Sequence, residues 1–142
     1  MSEPSNQPPS AVAPKQLELP RGALVVMRVS GGIRFTTQEM VVYPDGRVTL
    51  GAGDTAKAVY NRAPRSMADA HIVRLRKLLD QSGFFKSQPP KAEQSPDGYA
   101  YEIMSRIGPK HNHIEVFTGT MPDGIRALVD YLMKWMPPSD ES

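Results

Sequence analysis

Apolar and polar residues alternate along the first third of the chain, a pattern typical of β-strands. The apolar residues fall into segments 23–29, 33–43 and 47–50, separated by Ser-Gly-Gly and by Pro-Asp-Gly. Glycine accepts positive φ angles and proline presets φ, so both separators predict tight turns. We therefore expect a three-stranded antiparallel meander over residues 23–50.

From residue 66 the apolar positions are instead three and four residues apart, which predicts an amphipathic helix. Its apolar stripe consists of Ala68, Ile72, Leu75, Leu78 and Leu79. Ser66 and Asp69 have the spacing of an N-cap residue and its N3 partner, so we expect the helix to begin near Ser66. Gly83 suits the position just after the helix, and Phe84 and Phe85 should pack back beneath it.

A hairpin followed by a helix occurs again in the last third of the chain. Alternation over 99–107 and 111–118, with Gly-Pro-Lys between them, predicts two antiparallel strands. A second helix is expected from Thr120 to the proline pair at 137–138. Its apolar stripe consists of Ile125, Leu128, Val129, Leu132 and Met136.

The predicted element order is β-β-β-α-β-β-α. Hairpins pair strands antiparallel, and two helices with one apolar face each need a common sheet face to cover. The sequence therefore predicts an α+β fold in which two helices pack on one face of a four- to five-stranded antiparallel sheet. We expect the other face to be partly open to solvent or to a partner.

Composition divides the chain into three parts. Residues 1–21 contain five prolines among Ser, Gln and Asn, which predicts a disordered proline-rich arm. Residues 22–137 form the single α+β domain, and 138–142 form a short acidic tail. The sequence contains no cysteine, which excludes disulfides and thiolate metal sites.

Charge and hydropathy narrow the expected partners. The net charge is only +2, and no apolar run reaches the ~20 residues that a membrane-spanning helix needs. The first residues lack the basic and apolar regions of a signal peptide, so we expect a cytoplasmic protein without membrane insertion. Nucleic acid is disfavoured as a partner. The alternative is a weak nucleic-acid binder that uses Arg62, Arg65, Arg74 and Lys77.

Residues suited to catalysis or metal binding are few. His111 and His113 alternate on one predicted strand and point the same way, but the sequence offers no evident third metal ligand. Glu102 and Glu115 lie on neighbouring predicted strands, where we expect a cross-strand pair with Arg106 or with Lys110. We expect no metal and no cofactor.

Other catalytic signatures are missing from the sequence. No serine sits in a nucleophile elbow, and the glycine-rich segment after residue 50 lacks the Lys-Ser/Thr of a phosphate-binding loop. The sequence therefore predicts a protein that is not an enzyme. Tyr99 and Tyr101, which share one strand face, are expected to point into the core with their hydroxyls at its rim.

Several short motifs together resemble a known family. A strand ends in Arg-x-Ser-Gly-Gly-Ile over residues 28–33, and a Leu-x-x-Leu-Leu helix leads to Gly-Phe-Phe at 83–85. An Asp-x-Tyr-x-Tyr pattern follows at 97–101, and then a histidine-bearing strand and a leucine-rich helix. Over residues 23–136 the chain resembles the emfourin-like (protealysin inhibitor) family, which consists of small bacterial inhibitors of thermolysin-type metalloproteases. The chain departs from the family pattern in its proline-rich arm and in an insert over 51–65.

The resemblance implies an intracellular protein that binds a protease and blocks its zinc-containing cleft. A cleft blocker needs an exposed and pre-organised loop, and a glycine hairpin tip is such a loop. The predicted contact residues are Ser30, Gly31, Gly32, Ile33, Arg34 and Phe35. Ile33 and Phe35 are the side chains expected to enter an apolar pocket of the protease. The alternative is an ordinary tight turn in a non-catalytic accessory subunit, which docks through its N-terminal arm and its open sheet face.

Overall fold

A computed structural model describes residues 17–31, 36–52, 65–88 and 98–136. Within these ranges the elements follow the predicted β-β-β-α-β-β-α order, with a two-residue strand and a short 3-10 helix added. They are β1 (Val25–Gly31), β2 (Thr36–Val42), β3 (Arg47–Ala52), β4 (Arg65–Ser66), α1 (Asp69–Gln81), the 3-10 helix (Phe84–Lys86), β5 (Tyr99–Ile107), β6 (Lys110–Phe117) and α2 (Asp123–Met133).

All strands belong to one antiparallel sheet with the order β4-β3-β2-β1-β5-β6. The predicted meander of β1, β2 and β3 is confirmed. The second hairpin, β5–β6, adds to the free side of β1, so the first strand of the chain becomes a central strand. Five strands of six residues or more form the body of the sheet, and β4 pairs with β3 at its edge.

Both helices cover the same face of the sheet, as predicted, and we call it the helix face. Its strand residues alternate with those of the opposite face, and they include the buried Met27, Met40, Leu50, Ile103 and Ile114. The predicted stripes of the two helices pack against them. The buried helix residues are Ile72, Leu75, Leu79, Ile125, Leu128, Val129 and Leu132. Burial of this apolar surface supplies most of the stability of the fold.

The beginning of α1 differs from the prediction. The helix begins at Asp69 with Ala68 as its N-cap, and no side chain caps it. The capping box of Ser66 and Asp69 is therefore wrong, because Ser66 pairs with Arg47 in the sheet and is not available to the helix. Likewise α2 begins at Asp123 rather than near Thr120.

The ends of these elements agree better with the sequence. Gly83 follows α1 in the left-handed conformation, and Phe84 then packs fully buried in the core. At the β2–β3 turn Gly46 has φ 99°, and a Cβ there would lie 2.3 Å from the carbonyl oxygen of Met67. The predicted Pro-Asp-Gly turn is thus confirmed, and only glycine fits its last position without strain.

The sheet face away from the helices, which we call the second face, is divided into two ends. At one end the apolar patch consists of the buried Leu17, Ala23, Val26 and Val41, with Leu19, Tyr43 and Met104 beside them. The sequence placed Leu17 in the arm, yet this side chain is only 2% exposed and packs on the sheet. The chain's own residues thus cover one end of the face that was expected to be partly open to solvent or to a partner. Neither described helix has the length and apolar character needed to cross a bilayer.

Candidate functional site

The base of the β1–β2 hairpin is held by three strands. Ser30 lies opposite Thr37 on β2 and Ala100 on β5, and Gly31 is the next residue along β1. The sequence predicted a turn at residues 30–32, whereas the ladder continues through Gly31. Ser30 and Gly31 are therefore strand residues at the foot of the hairpin. The other predicted contact residues, Gly32, Ile33, Arg34 and Phe35, lie outside the described residues.

Gly31 occupies a special position at this base. Its φ angle is 121°, a region that favours glycine, and its neighbours across the sheet are Thr36 and Tyr99. Because Gly31 has no side chain, Tyr99 meets no side chain at that position of β1, whereas Thr118 lies on its other side. Tyr99 is 38% exposed, and its ring lies 6.3 Å from that of Tyr101. An exposed aromatic side chain thus stands next to the hairpin base.

Tyr101 differs from Tyr99 although both lie on the same side of β5. It is half-buried and packs against the core, and this burial raises the pKa of its hydroxyl above the ordinary value, partly offset by a hydrogen bond with Thr118. The expectation that both tyrosines point into the core is therefore correct for Tyr101 only. Tyr99 escapes burial because it lies at the first position of its strand.

A line of charged residues, which we call the polar row, crosses the second face next to the hairpin base. It consists of Glu39 on β2, Arg28 on β1, and Glu102 with His113 on β5 and β6. Arg28 lies directly opposite both glutamates, which pair with it from either side. Its Nη2 donates a hydrogen bond to Oε1 of Glu102 at 2.9 Å, and its Nη1 lies 3.6 Å from Oε2 of Glu39.

The polar row buries a cation in the centre of the sheet. Arg28 is 7% exposed, and a charge so far from water is tolerated only when opposite charges and hydrogen bonds compensate it. Oε2 of Glu102 contacts Nε2 of His113 at 2.7 Å, so both oxygens of this carboxylate are engaged. These contacts hold the side chain of Arg28 in place. Arg28 lies two residues before Ser30 and on the same face of β1.

The expected partners of Glu102 are wrong. The prediction paired it with Arg106 or Lys110, but Arg106 lies four strand residues away, about 13 Å along the sheet. Lys110 instead bonds Asp80 of α1 at 2.8 Å. Glu102 does lie directly opposite Glu115, in agreement with the prediction that they occupy neighbouring strands. Sequence reasoning missed Arg28, although a charged residue between the apolar Met27 and Val29 of a central strand is a signal that it needs a partner.

His111 and His113 are both exposed on β6. His113 is engaged by Glu102, and His111 lies opposite Arg106. Within residues 17–31, 36–52, 65–88 and 98–136 no three His, Cys, Asp or Glu side chains come close enough together to hold a metal ion.

Comparisons with known proteins provide no assignment for this chain. No family model matches the sequence, and no curated protein matches it. The residues of the hairpin base and the polar row are therefore the basis for a functional interpretation.

Proposed function

We propose that this chain is a protein-binding module that inhibits a thermolysin-type metalloprotease, with residues 30–35 as its contact segment. The hairpin base supports the proposal, because Ser30 and Gly31 are hydrogen-bonded into a central strand between β2 and β5. Anchored ends reduce the entropy that a contact segment loses when it binds a cleft. The proposed activity is that suggested by the resemblance to the emfourin-like family, and the protein itself carries out no catalysis.

The surroundings of the base suit a protein partner. Exposed tyrosine is a frequent contact residue at protein interfaces, and Tyr99 lies beside Gly31. The polar row fixes the strand just before Ser30, so the segment is presented by rigid neighbours. In the proposed complex Ile33 and Phe35 enter an apolar specificity pocket, while Tyr99 packs at the rim.

An inhibition assay tests this function. The wild-type chain is titrated into a thermolysin-type protease during hydrolysis of a fluorogenic peptide, beside Ile33→Asp and Phe35→Ala. We expect the wild type to inhibit and each variant to weaken inhibition about tenfold or more, as expected when an interface anchor is removed. The matched control is Val73→Asp, which adds the same charge at a 54% exposed apolar residue of α1.

The control variant distinguishes a loss of the contact residues from a general effect of added charge. Inhibition by Val73→Asp should equal that of the wild type, and circular dichroism should show all four proteins folded. Absence of inhibition by the wild type, or inhibition by both hairpin variants that equals that of the wild type, would contradict the proposed function.

A second candidate function is that of an accessory subunit, and the packing of Leu17 favours it. This residue joins residues 1–16 directly to the second face, where the apolar patch ends. A partner that binds the arm would therefore be held near the second face. A chain that begins at Leu17 keeps the packed residues and tests this function: a partner that co-purifies with the full chain should be lost. Retention of the partner by the shortened chain would exclude docking through the arm.

A further inference from the structure

A groove of about 460 Å³ lies at the end of the sheet opposite the hairpin base. The turn before β1, the middle of α1 and the β5–β6 turn surround it. Among the residues that line it are three arginines, Arg21, Arg76 and Arg106, and none of its lining residues is acidic. The groove is therefore a concentration of positive charge on a chain whose net charge is only +2.

Each arginine is placed by a different element. Arg21 lies in a tight turn closed by a 3.0 Å hydrogen bond from the Ala23 amide to the Pro20 carbonyl. Arg76 lies on α1, and Arg106 is the next-to-last residue of β5. Because these elements belong to one packed domain, the three side chains converge from fixed backbone positions.

Some cations of the described chain have a carboxylate partner, and the three arginines of the groove do not. Arg28 pairs with two glutamates, Arg47 with Asp45, and Lys110 with Asp80. In the described ranges, by contrast, no carboxylate lies within ion-pairing distance of Arg21, Arg76 or Arg106. Like charges that converge on one groove repel each other, and an anionic ligand removes this cost.

The number and type of these groups indicate the chemistry of the ligand. One guanidinium is enough to bind both oxygens of a carboxylate, whereas three suit the several oxygens and multiple charge of a phosphate. The walls also contain apolar residues, among them Leu19, Pro20 and Ile107, and the volume falls within the range of small-molecule sites. We propose that the groove between Arg21, Arg76 and Arg106 binds a small phosphorylated molecule, either a phosphate monoester or a diphosphate.

Calorimetric titration of the full chain with pyrophosphate and with phenyl phosphate, at constant ionic strength, tests this site. We expect saturable binding, with phenyl phosphate gaining from the apolar wall. Arg21→Gln, Arg76→Gln and Arg106→Gln should each raise the dissociation constant about tenfold, as expected for the loss of a charge-assisted hydrogen bond. The matched control is Arg74→Gln, which removes the same charge two residues away on α1, where the guanidinium lies 5.9 Å from the Tyr131 ring.

Three results would overturn the proposal. The first is no saturable binding of either phosphate compound by the wild type. The second is an equal loss of affinity in Arg74→Gln, which would indicate attraction by net charge alone. The third is equal binding of sulfate, which would indicate an adventitious ion only. The groove lies at the other end of the sheet from Ser30 and Gly31, so the result of this titration is independent of protease inhibition.

Discussion

The two faces of the sheet bury their residues in different ways. The helix face is almost wholly apolar, and among the described residues its one buried polar side chain is Ser105. The second face buries a full charge, Arg28, between two glutamates, and its apolar patch lies at the end near Leu17. Apolar packing depends on volume, whereas a buried charge depends on its partners. Substitutions on the two faces should therefore destabilise the protein for different reasons.

The largest loss of stability is expected at Ile103. Its comparison is Met104, the next residue of β5, which points to the opposite face. Ile103 is fully buried on the helix face, and Met104 is half-buried in the apolar patch. Ile103→Ala should lower the free energy of unfolding by about 3 kcal/mol, because the cavity cannot collapse between sheet and helices. Met104→Ala should cost about 1 kcal/mol. Urea denaturation measures both, and equal losses would contradict the difference between the faces.

The next largest loss of stability is expected when the buried charge of Arg28 is removed. Arg28→Met keeps the volume but removes the cation that lies between Glu39 and Glu102, and we expect a loss of about 2 kcal/mol. This is less than for a fully buried pair, because each glutamate side chain is about one-fifth exposed. Arg47→Met, which removes an exposed partner of Asp45, is the matched control and should change stability by less than ~0.5 kcal/mol.

A triple variant sharpens the same test. Arg28→Met combined with Glu39→Gln and Glu102→Gln also removes the two carboxylate charges beside Arg28 and should recover most of the lost stability. If the triple variant is as unstable as Arg28→Met alone, the cost comes from the shape of the site and not from charge.

A smaller effect is expected at the buried hydroxyl of the helix face. Ser105 Oγ donates a 2.7 Å hydrogen bond to the carbonyl oxygen of Leu24, which ties the start of β1 to β5. Ser105→Ala should cost about 1 kcal/mol, because it leaves that buried carbonyl without the hydroxyl donor. Thr120→Ala removes an exposed hydroxyl–carbonyl contact and serves as the control in thermal unfolding. An unchanged melting temperature for Ser105→Ala would show that Leu24 finds another donor.

The smallest effect depends on pH. Burial raises the pKa of the Tyr101 hydroxyl above its ordinary value of 10.0, so the folded chain holds this proton more tightly than the unfolded chain. The contribution of Tyr101 to the free energy of unfolding is complete below about pH 10 and is lost as the pH rises through the folded-state pKa. In urea titrations, the free energy of unfolding of Tyr101→Phe should therefore decline less steeply above pH 10 than that of the wild type. Tyr99→Phe is the control, and an unaltered decline in Tyr101→Phe would refute the assignment.

The sequence predicts much of the helix face because its signals are local. The apolar spacings of both helices, the Pro-Asp-Gly turn at Gly46 and the glycine after α1 each depend on a few neighbouring residues. The predicted order of elements is confirmed for this reason. The start of α1 was misplaced because Ser66 pairs with β3, and such a contact between distant residues leaves no local pattern.

The second face could not be predicted to the same extent, since its features join distant parts of the chain. The burial of Arg28 requires Glu39 from β2 and Glu102 from β5, and alternation within β1 does not identify either partner. Arg21, Arg76 and Arg106 come from three elements, so their groove has no sequence motif. The contact role of residues 30–35 stays a prediction, of which the structure describes only the base at Ser30 and Gly31.

The central position of β1 also has a consequence for the order of folding. Arg28 and Glu102 pair although 74 residues separate them, whereas the β1–β2 and β5–β6 hairpins join near neighbours. Closing so long a loop costs entropy before the new contacts repay it. We expect the two hairpins to form early, and we expect the pairing of β5 with β1 to limit the folding rate. A newly synthesised chain therefore exposes one edge of β1 until more than one hundred residues have been made.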